Sequence, residues 1–123
     1  MSEFLTLDDM KFEGKTVLLR VDINCPLDRR TREILDDSRI KATAPTITEL
    51  QRHHAATVLL AHQGRPGDWD FVSLKEHASM LSGIIEQRVK FVPDIYGDAA
   101  QRAIEGMRSG EILLLENQRQ YSE

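Results

Sequence analysis

The sequence predicts an α/β fold of the doubly wound, Rossmann-like class, a three-layer α/β/α arrangement in which helices cover both faces of a parallel sheet. Four short apolar runs rich in branched residues predict strands buried on both faces, at residues 16–21, 57–61, 89–92 and 111–115. The segments between these runs have the apolar spacing of helices. Strands that alternate with helices are typical of sheets joined by right-handed crossovers.

The first helix is predicted to begin near Arg39 and to continue through residue 51. Asp37 or Ser38 precedes its first turn, and both residue types accept hydrogen bonds from the free N–H groups there. Pro45 lies inside the segment and has no N–H to donate. We therefore expect a kink or a restart of the helix at Pro45.

The second helix is predicted to start with a capping box, because Ser73 is followed three residues later by Glu76. The third is expected to be capped by Asp98 and stopped by Gly110. The residues expected on the inner faces of these two helices are Ala78, Leu81, Ile84, Ile85, Ala99, Ala103, Ile104 and Met107.

Composition excludes several classes of protein. With 123 residues, 41% hydrophobic and 29% charged, the chain suits one small globular domain. Its net charge of -4 disfavours nucleic acid as a partner, and no apolar run approaches the ~20 residues of a membrane span. The single cysteine, Cys25, suits a reducing compartment. We therefore expect a cytoplasmic protein without nucleic-acid or membrane partners.

The chain stops a few residues after its fourth predicted strand, at Glu123. A sheet that ends there would leave an edge uncovered, and natural folds usually cover or blunt such edges. The sequence therefore predicts a truncated domain that can self-associate through an exposed sheet edge.

Polar side chains follow the first predicted strand, where Arg20, Asp22 and Asn24 alternate along an extended segment. In open α/β sheets ligands bind outside the carboxyl ends of the strands, and alternation places these three side chains on one side. An acceptor and an amide there suit a hydroxyl-bearing ligand. A solvated strand end followed by a turn proline explains the same spacing, so both interpretations stay open.

Further polar residues follow the second and fourth predicted strands. His62, Gly64 and Arg65 come after the second, and Glu116 and Arg119 after the fourth. The glycine allows close backbone approach to a ligand, and arginines grip anions through planar, bidentate forks. The sequence contains neither GxxxxGK[ST] nor GxGxxG, so no nucleotide-cradling loop is expected. Together with Arg39, these arginines predict a site for one small polyanion.

Other reactive residue types have simpler interpretations. Cys25 is expected to be a small buried side chain without a reaction. His53, His54 and His77 are expected to lie solvated on helix surfaces, without the company that metal ligation needs, so no metal site is predicted.

Four segments of the chain resemble, in order and at suitable intervals, the successive N-terminal motifs of phosphoglycerate kinase, especially its archaeal branch. They read LLRVDINCPLD, DDSRIKATAPTI, LLAHQGRP and GEILLLENQR, and the match runs from about Lys15 to Arg119. Several motifs in order are more specific than one glycine pattern. The chain departs from the residues frequent in the family at four positions, Cys25, Gln63, Gln118 and Gln120. These departures put the packing of the loops in doubt.

The resemblance implies a two-domain enzyme of glycolysis and gluconeogenesis that transfers phosphoryl between ATP and 3-phosphoglycerate, with 1,3-bisphosphoglycerate as the other phosphoglycerate. Residues 1–123 would be part of the N-terminal, 3-phosphoglycerate-binding domain. ATP or ADP with Mg²⁺ would bind the C-terminal domain, which this chain lacks. The chain alone is therefore expected to be inactive and to bind no cofactor.

On matching positions, the resemblance places the substrate hydroxyl region at Asp22 and Asn24, and the substrate phosphate at His62, Arg65 and Arg119. Arg39 would face the transferred phosphoryl group as the catalytic residue. The neighbouring positions Ile23, Gln63 and Gly64 are also expected in the substrate-binding segments.

Two rival classes differ in testable ways. A phosphoacceptor receiver-type domain needs paired acids after the first strand and a lone aspartate after the third, a position that Asp94 occupies. A non-catalytic module that binds small anions would keep the arginines but have no partner domain.

Overall fold

The structure, a computed structural model, describes residues 15–65, 67–95 and 97–117. In this part of the chain all seven predicted elements are present in the predicted order. They are β1 (Thr16–Arg20), α1 (Ser38–Arg52), β2 (Ala56–Leu60), α2 (Lys75–Ile85), β3 (Val89–Val92), α3 (Asp98–Glu105) and β4 (Ile112–Leu115).

The four strands form one parallel sheet in the order β1-β2-β4-β3. In its central register, Leu18 lies beside Val58, which lies beside Leu113. The connections through α1 and α2 advance across the sheet, whereas the connection through α3 steps back. Right-handed crossovers that run in opposite directions place their helices on opposite faces, so α3 lies alone on the second face. The predicted three-layer, doubly wound fold is confirmed.

Two separate clusters of buried side chains confirm these layers. The larger cluster joins α1 and α2 to one face of the sheet and includes Ile40, Ile47, Leu59, Leu81 and Leu114. The smaller joins α3 to the other face and includes Val58, Val92, Ala100, Leu113 and Leu115. All four residues of β4 are buried because this strand has a neighbour on each side and a helix layer on each face.

The prediction that every strand is buried on both faces is wrong for β1. This strand lies at one end of the described sheet, none of its five residues is buried, and Leu18 is 64% exposed. An apolar run alone does not distinguish a central strand from an outer one. Self-association through the sheet edge stays a prediction, which sedimentation at several concentrations would test.

Pro45 neither ends nor divides α1, which is continuous from Ser38 to Arg52. The predicted capping box of α2 is half present. Ser73 Oγ accepts from the N–H of Lys75, the first residue of the helix, at 3.2 Å, whereas the carboxylate of Glu76 accepts from the N–H of Ile34 at 3.3 Å and does not return to Ser73.

In α3, Asp94 rather than Asp98 supplies the cap. Its carboxylate accepts from Ala100 N–H at 3.0 Å and from Gly97 N–H at 3.2 Å. The helix ends at Glu105, ahead of the predicted stop at Gly110. Ala100, rather than the exposed Ala99, is buried against the sheet.

Candidate functional site at the carboxyl edge of the sheet

The segments that follow β1, β2 and β4 meet at the carboxyl edge of the sheet, as the sequence predicts. The amide oxygen of Asn24, in the segment after β1, accepts from Gly64 N–H after β2 at 2.8 Å. Asn24 N–H in turn donates to Asp22 Oδ1 at 3.3 Å. These hydrogen bonds hold two ligand-facing segments side by side.

Gly64 is required by its backbone as well as by its neighbours. Its φ of +68° lies in the left-handed region, and a Cβ there would fall 2.5 Å from the backbone oxygen of Asp70. Any side chain would therefore push apart the loop that follows β2. The sequence predicts that this glycine lets the backbone approach a neighbour closely, and in the structure that neighbour is the backbone of Asp70 in the same loop.

A cavity of about 300 Å³ opens between these segments. It is lined by Asn24, His62, Gly64, Arg65, Asp68 and Asp70. Hydrogen-bond donors from Asn24, His62 and Arg65 thus line the same cavity as the two carboxylates, those of Asp68 and Asp70. Such a mixture suits a small ligand that carries both hydroxyl and anionic groups.

Arg39, in the first turn of α1, reaches the segment after β1. Its Nη1 lies 3.1 Å from Oδ1 and 3.2 Å from Oδ2 of Asp22. The side chains are 56% and 68% exposed, so both remain accessible to a ligand from solvent. A single guanidinium nitrogen serves both carboxylate oxygens, which leaves the other nitrogen donors of Arg39 for an incoming anion.

Ile23 and Gln63 are placed differently from the other predicted site residues, because both are completely buried. The Gln63 amide binds the backbone of Cys25 in both directions: Oε1 accepts from N–H at 2.8 Å, and Nε2 donates to C=O at 3.0 Å. Their side chains therefore support the site from below. Any ligand contact at these two positions would fall to the backbone.

The prediction that His77 is solvated is wrong. It is fully buried in α2, and its Nε2 lies 3.0 Å from Oε1 of Gln63. Burial lowers the pKa of His77 from 6.5 to about 4, so the ring is neutral at neutral pH. Nδ1 has no hydrogen-bond partner in the described part of the chain. A neutral ring that donates from Nε2 extends the buried polar network around Gln63.

His53 and His54 follow the prediction more closely. His54 is exposed, whereas His53 is half-buried and its Nε2 lies 3.1 Å from Oε2 of Glu49. Within the described ranges, no group of three or more histidine, cysteine or acidic side chains could hold a metal ion.

Two residues after β4 complete the network, and sequence reasoning missed their roles. Asn117 is buried, and its Nδ2 donates to the backbone oxygens of Gln63 at 2.7 Å and Val72 at 2.9 Å. The Glu116 carboxylate accepts from Ser73 Oγ–H at 2.9 Å and from Leu74 N–H at 3.0 Å. The sequence signal for both residues was their position directly after a buried strand. That position does not tell whether a polar side chain contacts a ligand or holds a loop in place.

Cys25 is the buried, unreactive side chain that the sequence predicts. Its thiol donates to the backbone oxygen of Ile23 at 3.2 Å. Burial raises its pKa to about 11, with a further increase from the nearby carboxylates and a smaller opposing effect of Arg39. The thiolate is therefore scarce at neutral pH.

The segments that follow β1 and β2 also touch through a cation–π contact. The guanidinium of Arg29 lies 4.8 Å from the ring centroid of Trp69, within the range of a cation–π interaction. This contact joins the segment after β1 to the one after β2.

Three arginines are expected to hold an anion, and two of them lie in the part of the chain that the structure describes. Arg39 pairs with Asp22, and Arg65 lines the cavity. Arg119 lies outside the described residues, as do Gln118 and Gln120. Asp94, the candidate phosphoacceptor of a receiver-type domain, caps α3, and its hydrogen bonds to backbone N–H groups lower its pKa.

A search for helices that are long and apolar enough to cross a bilayer finds none in the described part of the chain.

Comparison with known proteins identifies the family. The family model described as phosphoglycerate kinase matches residues 7–123. A phosphoglycerate kinase from Methanothermobacter thermautotrophicus is 54% identical over 121 residues, which make up 98% of this chain and 29% of that protein. This chain thus spans less than a third of the length of the curated relatives it matches.

Solved structures agree. A crystal structure of phosphoglycerate kinase from Pyrococcus horikoshii aligns with a TM-score of 0.90 at 41% identity, over 95% of this chain and 28% of that one. The phosphoglycerate kinase of Coxiella burnetii aligns with a TM-score of 0.75 at 27% identity, over 94% and 28%. Sequence motifs, fold and relatives agree that this chain belongs to the phosphoglycerate kinase family.

Proposed function

We propose that this chain is the 3-phosphoglycerate-binding part of the N-terminal domain of a cytoplasmic phosphoglycerate kinase. The observation that supports this best is the cavity at the carboxyl edge, where Asn24, His62 and Arg65 lie together. The exposed pair of Asp22 and Arg39 belongs to the same edge of the sheet. The complete enzyme would transfer phosphoryl between ATP and the carboxylate of 3-phosphoglycerate.

The proposed roles follow from what each side chain can donate. Asp22 accepts from the substrate hydroxyl, and the amide nitrogen of Asn24 donates to it, because the oxygen of Asn24 is used by Gly64. His62 and Arg65 hold the phosphate end, together with Arg119. Binding of substrate orients the carboxylate that exchanges the phosphoryl group.

Arg39 is proposed as the catalytic residue of this chain. In phosphoryl transfer the protein mainly positions the groups and stabilises charge on the equatorial oxygens, which a fixed guanidinium does without changing its protonation. The pairing with Asp22 holds Arg39 in place while solvent still reaches it. ATP or ADP with Mg²⁺ would bind in the C-terminal domain, outside this chain.

Titration of the chain alone tests the binding part of this proposal. We expect weak, saturable binding of 3-phosphoglycerate and no specific binding of Mg-ATP, because a small ligand offers few contacts to offset the entropy of association. Calorimetry with each ligand separately is the measurement. Tight, saturable ATP binding by residues 1–123 would show that the site is misassigned.

A chimera tests catalysis. The chain would replace the matching first part of the Methanothermobacter thermautotrophicus enzyme, with which it shares 54% identity. We expect turnover in the chimera, a loss of ~10²-fold or more in kcat for Arg39→Ala, and mainly a raised KM for 3-phosphoglycerate in Arg65→Ala. Arg30→Ala, in an exposed turn, is the matched control. Wild-type kcat in Arg39→Ala would overturn the catalytic assignment.

A further inference from the structure

A second and larger cavity, of about 460 Å³, lies at the opposite edge of the sheet. Its walls come from the residues just before β3 and β4 and from the C-terminal half of α3. The cavity at the carboxyl edge is lined by residues that follow strands, so the four-residue length of β3 and β4, ~13 Å, separates the two sites. No role in the proposed function involves this second cavity.

Four cationic side chains line this amino-edge cavity: Arg88, Lys90, Arg102 and Arg108. None of them forms an ion pair with the part of the chain that the structure describes, and all four residues are exposed. The one acidic residue in the wall is Glu111, whose carboxylate accepts from Arg108 N–H at 2.8 Å. In a chain with a net charge of -4, this wall concentrates uncompensated positive charge.

The wall is also firm and partly apolar. The side chain of Gln51 donates to the backbone oxygen of Gly110 at 3.0 Å, and Gly110 N–H donates to Ala55 at 3.0 Å. Ala103 and Met107, both partly exposed residues of the α3 side, contribute apolar surface. Two carbonyls at the C-terminal end of α3 already accept from Gly106 and Met107 N–H groups, which reduces their repulsion of an anion.

We propose that the amino-edge cavity is a second anion site, for a small organic polyanion that carries at least two phosphate or carboxylate groups. Its volume falls in the range of small-molecule sites. The guanidinium and ammonium groups hold the charged ends, and the surface of Ala103 and Met107 contacts the carbon skeleton between them. The inference does not rest on the proposed kinase function, because none of these residues belongs to the carboxyl edge.

NMR titration of the chain tests this site directly. Inorganic pyrophosphate and citrate serve as the phosphate and carboxylate probes, and the backbone amides of Gly106, Gly110 and Ile112 are the reporters. We expect saturable shifts of these amides with at least one probe, and the stronger probe identifies the preferred anionic group. No saturable shift with either probe at millimolar concentration would overturn the proposal.

Variants then assign the binding to the cations. Arg88→Gln combined with Lys90→Gln should weaken the shifts at Gly106 and Gly110 by about fivefold or more in affinity. The control, Arg30→Gln combined with Lys75→Gln, removes the same charge elsewhere and should leave the affinity unchanged. Arg102→Gln is an independent second variant. If the double variant and its control lost affinity equally, the effect would come from the overall charge of the chain, and the proposed site would be refuted.

Discussion

The carboxyl edge of the sheet has two regions of polar residues that look alike in the sequence and differ in the structure. Gln63, His77 and Asn117 form a buried network beneath the site, in which the side chains bind backbone or each other. Asp22 and Arg39 form an exposed pair. Removing a partner from a buried network leaves groups unsatisfied, whereas water replaces the partner of an exposed charge. The buried network should therefore determine stability, and the exposed pair should serve the ligand.

The largest effect is expected for Gln63→Ala. The substitution removes four hydrogen bonds, of which the one to the backbone oxygen of Asp70 is the longest at 3.4 Å, and leaves the N–H and C=O of Cys25 and Nε2 of His77 unsatisfied in the core. We expect the free energy of unfolding to fall by about 4 kcal/mol. Urea unfolding at neutral pH is the measurement.

Two further variants sharpen this result. Gln63→Met keeps most of the volume and loses the hydrogen bonds, so it should retain most of the destabilisation. Gln101→Ala removes an exposed glutamine from α3 and should change stability by less than about 0.5 kcal/mol. If Gln63→Ala were no worse than Gln101→Ala, the buried network would not support the fold.

The next effect is a dependence of stability on pH that comes from His77. The unfolded residue binds a proton below pH 6.5, whereas the folded residue, with its pKa lowered to about 4, does not. Stability is therefore complete above pH 6.5 and is lost as the pH falls towards 4, by about 3 kcal/mol in total. Urea unfolding at several pH values measures the slope.

His77→Phe is the matched variant, because a phenyl ring fills the site without binding a proton. Its free energy of unfolding should vary less with pH between 6.5 and 4 than that of the wild type. Asp28, Asp36 and Asp94, whose pKa values are lowered by hydrogen bonds, lose most of their stabilisation below about pH 4, and they do so equally in both proteins. Parallel pH profiles in the wild type and His77→Phe would contradict the assignment.

Asn117→Ala should have a smaller effect. The buried side chain donates to the backbone oxygens of Gln63 and Val72, so its removal leaves two carbonyls without these donors. We expect a loss of about 2 kcal/mol, again by urea unfolding. Asn117→Asp keeps the shape but places carboxylate oxygens against carbonyl oxygens, and should destabilise at least as much. A neutral Asn117→Asp would show that donation is unimportant here.

Sequence reasoning recovered the fold and the edge that carries the site, because both follow from patterns within the chain. Apolar runs mark strands, and the polar residues that follow them mark the carboxyl edge. The outer position of β1 could not be predicted, because an apolar run such as 16–21 does not reveal how many neighbours its strand has.

The division of the site into support and ligand contact also escaped prediction. Gln63 stands two residues before Arg65, and nothing in the local sequence tells that one side chain turns into the core and the other lines the cavity. Part of the helix capping escaped prediction for the same reason: the acceptor for Leu74 N–H is Glu116, 42 residues away in sequence. Such pairs exist only after the strands have been brought together.

The smallest effect on stability is expected at the exposed pair. Asp22→Ala and Arg39→Ala should each change the free energy of unfolding by less than about 0.5 kcal/mol, because both side chains are more than half exposed. A double-mutant cycle by urea unfolding measures their coupling, and the affinity for 3-phosphoglycerate measured in parallel should fall in both variants. A coupling above about 1.5 kcal/mol, with unchanged affinity, would mean that the pair fastens α1 to the segment after β1. The distinction between a supporting network and a ligand-facing pair would then fail.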